Sequence, residues 1–109
     1  MAFDESLAAR IREALERTKN IEEKKMFGGV AFLFRGNLLV GVRKDSLVVR
    51  IGAEEYAGAF RDTHVREFDI KGKPMKGWVV VESEGLEGDD QLKEWIRKAM
   101  EFVETLPAK

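Results

Sequence analysis

An α+β fold in one domain, residues 1–109, is what this sequence predicts, with helices flanking a mainly antiparallel sheet. Three observations predict it. Apolar residues recur at helical spacing near both ends of the chain, β-branched and aromatic residues fill the middle, and the connections between the central runs are too short for anything but antiparallel neighbours. A chain of 109 residues with 44% hydrophobic content supports one core and not two.

The elements follow in order. Leu7, Ala8, Ile11, Ala14 and Leu15 form a helical stripe opposite Arg10, Arg12, Glu13, Glu16 and Arg17, with Asp4 or Ser6 as N-cap. Asn20 and the run Glu22-Glu23-Lys24-Lys25 break that period and read as a connection. Strands are then predicted at about 26–34, 38–43 and 47–51, joined by turns at Arg35-Gly36-Asn37 and Asp45-Ser46. Ala53 to Phe60 reads as a short helix with Tyr56 and Phe60 four apart, and Val65 to Ile70 alternates as a fourth strand. Two glycines and a proline make Lys71 to Gly77 a loop. Trp78 to Val81 supplies a fifth strand, Gly85 to Gly88 a second loop, and Leu92, Trp95, Ile96, Ala99, Val103 and Leu106 the stripe of a last helix capped by Asp89 or Asp90 and closed by Pro107. The predicted order is α-β-β-β-α-β-β-α around a five-stranded sheet.

A three-residue first turn sets Phe34 opposite Leu38, which gathers Val30, Phe32, Phe34, Leu38, Val40, Val42, Leu47, Val49 and Ile51 on one face as core. The other face then carries Ala31, Leu33, Leu39, Arg43, Val48 and Arg50. Such a mixture of aliphatics and arginines needs cover, from the first or last helix or from a second copy in a homodimer.

Composition excludes several classes of function. Nineteen basic and twenty acidic side chains leave a net charge of −1, so no global field draws the chain to nucleic acid or membrane. Without cysteine there is no disulfide, thiolate metal site or thiol nucleophile, and with His64 as the sole histidine there is neither a zinc set nor a triad. The adjacent carboxylates Glu54-Glu55 and Asp89-Asp90 read as solvated or capping groups rather than an acid and base in different environments. Gly28-Gly29 precedes a strand, not a helix, and so reads as a close backbone approach rather than a phosphate cradle. No cofactor, metal or catalytic residue is predicted, and the chain reads as non-enzymatic. No apolar segment nears the roughly 20 residues that span a bilayer, and no leader-like N-terminus is present, so the predicted location is cytoplasmic.

Local charge is more informative than net charge. Lys71, Lys73 and Lys76, with Arg66 upstream and Met75 and Trp78 alongside, make a basic segment bordered by apolar side chains, answered by the acidic run Glu82, Glu84, Glu87, Asp89 and Asp90. The predicted contact residues for a partner are therefore Leu33, Leu39, Arg43, Val48 and Arg50 on the mixed face, and Lys71, Lys73, Met75, Lys76 and Trp78 beside it.

The segments Met26-Phe27-Gly28-Gly29-Val30-Ala31-Phe32, Leu47-Val48-Val49-Arg50 and Pro74-Met75 with Trp78 resemble the N-terminal domain of the TfoX/Sxy regulators of bacterial competence, and the resemblance runs from the first helix to about Pro107. It implies a prokaryotic cytoplasmic domain with the element order given above, in a fold shared with type III secretion chaperones, many of which pair. It implies no catalytic position. Competence regulators carry a second domain after this one, whereas this chain stops at Lys109, so a stand-alone N-terminal domain is expected and a competence role does not transfer. The expected function is a regulatory or protein-interaction module. The alternative is a nucleic-acid accessory that uses Arg43, Arg50 and the segment from Lys71 to Trp78.

Overall fold

The computed structural model describes residues 4–26, 28–70 and 72–108. Its elements are α1 (Glu5–Leu15), β1 (Ile21–Met26), β2 (Gly29–Phe34), β3 (Asn37–Arg43), β4 (Ser46–Arg50), α2 (Ala53–Ala59), β5 (Val65–Ile70), β6 (Lys73–Val81), a 3₁₀ turn (Ser83–Leu86) and α3 (Asp89–Val103). All neighbouring strands are antiparallel, in the order β1-β2-β3-β4-β6-β5. The α+β class is as predicted, but the sheet has six strands and the order is α-β-β-β-β-α-β-β-α.

The additional strand is β1, the charged run read as a connection. It lies at the sheet margin, paired among the described residues to β2 alone, and all its residues but Ile21 are exposed, so it needs no apolar pattern. The long strand predicted at 26–34 is therefore interrupted, its first residue ending β1 and the rest forming β2, with Gly28 between them at φ 75°. Phe27 lies outside the described residues. The next turn is Arg35-Gly36 rather than three residues, and both φ angles are positive, 53° and 84°. That conformation matches the twist of two-residue hairpins.

The shorter turn pairs Phe34 with Asn37 and Leu33 with Leu38, while Phe32 pairs with Val40. Leu39 is thus an extra residue in β3, and a bulge of this kind reverses the facing of everything beyond it. Leu39 goes to the helix side with Phe32 and Val40, and Leu38 goes to the reverse side with Ala31 and Leu33. The expectation had these two leucines exchanged. Asn37 is carried to the helix side with Phe34, where it is buried and its Nδ2 donates to the carbonyl of Pro107 at 2.9 Å.

The helices seal one face only. Leu7, Ala8, Ile11 and Leu15 of α1 and Leu92, Trp95, Ile96, Ala99 and Val103 of α3 join Val30, Phe32, Phe34, Val42, Leu47, Val49 and Val79 in a single cluster. Asp4 caps α1, its Oδ1 accepting from the Leu7 amide at 3.1 Å. At α3 the cap is Gly88, whose amide donates to Gln91 Oε1 at 2.9 Å, while Asp89 and Asp90 sit in the first turn beside the positive end of the helix dipole. The segment read as a loop before Trp78 is the first part of β6. It outruns β4, which pairs only from Trp78 onward, so Pro74 meets β5 alone and removes no bond from a central ladder. No helix among the described residues is long and apolar enough to cross a membrane.

Two neighbouring glycines make a test of the β2 start. A Cβ on Gly29 would lie 1.9 Å from the Val42 carbonyl oxygen, whereas one on Gly28 meets nothing within 4 Å and suffers only its positive φ. Gly29→Ala is expected to cost about 3 kcal/mol, the upper range for overpacking, and Gly28→Ala about 1 kcal/mol of backbone strain, read as urea unfolding midpoints. A second test concerns the Arg12 guanidinium, which grips Glu23 of β1 at 2.5 and 2.9 Å and holds that carboxyl below its ordinary range. A lowered folded-state pKa stabilises above the unfolded pKa and is lost as pH falls through the folded one. Glu23→Gln should therefore cost about 0.5 kcal/mol at neutral pH, since the pair faces solvent, and its unfolding curve should converge with that of the native chain in acid.

Candidate functional site: an arginine–aromatic layer on the reverse sheet face

Register fixes the composition of the face the helices leave uncovered. Ala31, Gly41, Val48 and Val80 form one row across β2, β3, β4 and β6, and on the same face Leu33 pairs with Leu38 and Arg50 with Trp78. In β5, Val65 joins the helix-side core, so by alternation Arg66 and Phe68 belong to the reverse side.

Arginines and rings lie against one another over these rows. Phe68 and Trp78 are stacked with centroids 5.9 Å apart and planes 29° apart. The Arg43 guanidinium lies 5.7 Å from the Phe68 centroid, and that of Arg50 lies 5.1 Å from the Trp78 centroid. Arg50 also reaches the ring of Phe102 on α3 at 5.6 Å. The sequence Arg43, Phe68, Trp78, Arg50 is thus continuous, each contact of a cation with a ring contributing about 0.5–1 kcal/mol where water has access. Beneath it Ala31 and Val48 are fully buried, and Leu33 and Leu38 nearly so. The apolar part of the face is covered by side chains of the same chain, not by a helix, and its burial needs no second copy. Among the described residues only Met26 and Phe60 are large hydrophobics classed as exposed.

Arg10, Arg12, Arg66 and Arg97 each have a carboxylate, respectively Asp89, Glu23, Glu82, and Glu94 with Glu101. Arg43 and Arg50, like Arg17, Arg35 and Arg61, have no carboxylate partner among the described residues; Arg43 and Arg50 have the rings of this layer instead, as Arg35 has that of Phe34. Burial lowers the pKa of Arg50 below the usual arginine value, a sign of a cation removed from water without a counter-charge. A guanidinium laid against a ring keeps its in-plane N–H donors free at the edges, in a fork that fits a carboxylate or phosphate.

The predicted contact residues divide accordingly. Leu33, Arg43, Val48, Arg50 and Trp78 share the reverse face, with Leu33 and Val48 as its buried floor and the other three as its surface. Leu39 does not belong there, because the bulge in β3 turns it into the helix-side core, where it is fully buried. Lys73 and Lys76 are exposed on β6 and Met75 is half-buried between them, whereas Lys71 lies outside the described residues. Arg66, counted with the basic segment, is engaged by Glu82 at 3.0 Å, so the acidic run is partly answered within the chain. His64 is a half-buried loop residue whose amide donates to Asp62 Oδ1 at 2.9 Å and whose carbonyl accepts from the Glu82 amide at 2.8 Å.

Phe68 and Phe102 are the residues of this arginine–aromatic layer that the sequence reading missed. For Phe68 a signal was present: it lies three positions after Val65, an odd step, and simple alternation turns the two to opposite faces. Phe102 reaches Arg50 from the helix layer, and no local pattern marks that contact.

The family profile of the TfoX N-terminal domain matches residues 13–103, which run from the last turn of α1 to the end of α3. No curated protein matches the chain significantly.

If Phe68 is the hub of this layer, Phe68→Ala should destabilise the protein by about 3–5 kcal/mol, as for other buried phenylalanines, and shift Trp78 emission to longer wavelength as water reaches the ring. Arg43→Ala removes one outer contact only and should cost about 0.5–1 kcal/mol. Unfolding monitored by circular dichroism and by tryptophan fluorescence checks both.

Proposed function

The chain belongs to the TfoX N-terminal domain family, and from that premise we propose that it is a non-enzymatic interaction module whose reverse sheet face docks a protein partner. The observation that carries this reading is the pair Arg43 and Arg50, held against Phe68 and Trp78 and left without carboxylates. Holding two long side chains in place before binding lowers the entropy lost on association, and arginines and tryptophans over a packed floor are the residues that dominate protein interfaces. The groups gathered there are cations, rings and aliphatics, a set suited to recognition rather than bond-making. Lys73, Met75 and Lys76 extend the surface along β6.

A nucleic-acid role for the same cations is the second reading. It is supported by the two unpaired guanidiniums, which suit phosphates as well as carboxylates. It is opposed by the state of Trp78, whose ring already has Phe68 and Arg50 against it and so is not free to stack on a base, and by the net charge of −1.

A photo-crosslinking residue at Lys76, irradiated in lysate of the source cell, separates the two. A stoichiometric protein adduct that disappears in Arg43→Glu/Arg50→Glu, with the fold of that variant confirmed by circular dichroism, is the expected result. An adduct to RNA or DNA that fades steeply with added salt would replace the first reading with the second. Adducts indifferent to both arginines would remove the face from consideration.

A further inference from the structure

The margin of the sheet opposite the β5 side is the free edge of β1, Ile21-Glu22-Glu23-Lys24-Lys25-Met26, which pairs with β2 alone among the described residues. The carbonyl of Asn20 accepts from the Arg35 amide at 3.0 Å, which fixes the direction of the backbone groups that follow. By alternation Glu22, Lys24 and Met26 turn their amides and carbonyls toward β2, while Ile21, Glu23 and Lys25 turn theirs outward. Three residues in a row of six thus offer unpaired donors and acceptors along one line. α1 packs over β3, two strands in from this edge, and reaches β1 through the Arg12–Glu23 pair.

Charged edge strands ordinarily repel other strands. This one is ordered so that a second copy of itself satisfies it. Antiparallel edge pairing of identical sheets requires a two-fold axis normal to the sheet, which keeps each face on its own side and places like-facing residues opposite one another. With the axis at Glu23, the outward groups pair as Ile21 with Lys25, Glu23 with Glu23 and Lys25 with Ile21, which completes the ladder at all three positions. On the reverse face the same register sets Glu22 of each copy opposite Lys24 of the other. On the helix face the two Glu23 carboxylates meet, each already gripped by its own Arg12 at 2.5 and 2.9 Å. Moving the axis to Lys24 would set Glu23 opposite Lys25 but face two lysines, and moving it to Glu22 would face two glutamates; either shift leaves only two of the three outward positions paired within the strand. Within one chain Lys24 lies 3.8 Å from Glu22, a loose contact between two exposed side chains. Across the edge each would gain a directly opposite partner.

We propose that β1 is a self-pairing edge, and that two copies of this chain join through it into one continuous sheet with two-fold symmetry about Glu23. The strand is short, so the buried area falls below that of a standard interface and the dimer forms reversibly with concentration. Both helix layers then lie on one side of the joined sheet and both arginine–aromatic layers on the other. A bivalent partner would meet two copies of the site on a single surface.

Sedimentation velocity over a concentration series from micromolar to millimolar tests this, with three charge variants at exposed positions that leave the monomer fold intact. Glu22→Lys and Lys24→Glu each turn both cross-strand pairs into like-charge contacts, and each should raise the dimer dissociation constant about tenfold or more. The double variant E22K/K24E restores opposite charges with their signs exchanged and should recover the native dissociation constant. Lys25→Pro removes an outward amide that β2 does not use and should give a folded monomer. A monomer at every concentration, or a dimer whose affinity ignores the single variants or is not recovered in the double, would overturn the proposal.

Discussion

A strand deals its side chains alternately to two faces, and in this protein one surplus residue decides what each face receives. Leu39, opposite the step from Phe32 to Leu33, lets the β2–β3 hairpin close on the two-residue turn Arg35-Gly36 while Val40 and Val42 still meet Phe32 and Val30. Without it, Leu38 would enter the helix-side core, Leu39 would be turned outward, and Asn37 would lose its place among buried groups. The cost of the irregularity is one unpaired position in the ladder. Its return is an uninterrupted apolar face for α1 and α3 and an aliphatic floor on the reverse side.

Much of this was legible in the chain. The stripes of α1 and α3 and the alternation of β2 to β5 are strong periodic signals, and they place nearly every core residue correctly. What escaped is of two kinds. Strand β1 carries no apolar alternation because an edge needs none, so Glu22-Glu23-Lys24-Lys25 looks like any charged connection. The first half of β6 contains Pro74 and Gly77, which signal a loop in isolation; they are tolerated because that half has a neighbour on one side only and because Gly77 adopts φ 93°, its carbonyl accepting from the amides of Ile51 and Gly52.

For the candidate site, most of the face residues named from the sequence do lie on one side of the sheet, but what makes that layer coherent was not legible. Arg43 and Arg50 were recognisable as sharing a face by alternation, whereas the ring that joins Arg43 to Trp78, Phe68, comes from β5, two strands beyond β4 in the sheet, in a pairing interrupted by an irregularity between Glu67 and Asp69. The exchange of Leu38 and Leu39 has the same origin. Local pattern gives the facing of a residue within its strand, but a bulge is a property of two strands together and leaves no mark in either alone.

The amide of Asn37 has a consequence for how the chain leaves the domain. By clasping the Pro107 carbonyl, this buried side chain fastens the segment that follows α3 beside the β2–β3 hairpin turn, after a helix whose last buried residue is Val103. Whatever polypeptide continues from there, whether of the cell's making or an appended tag, departs from a corner anchored at the turn end of β3, with its first step aimed by the fold. The reach of a fluorophore or affinity handle joined there is therefore measured from Pro107 beside the hairpin turn, and not from the end of α3 at Val103.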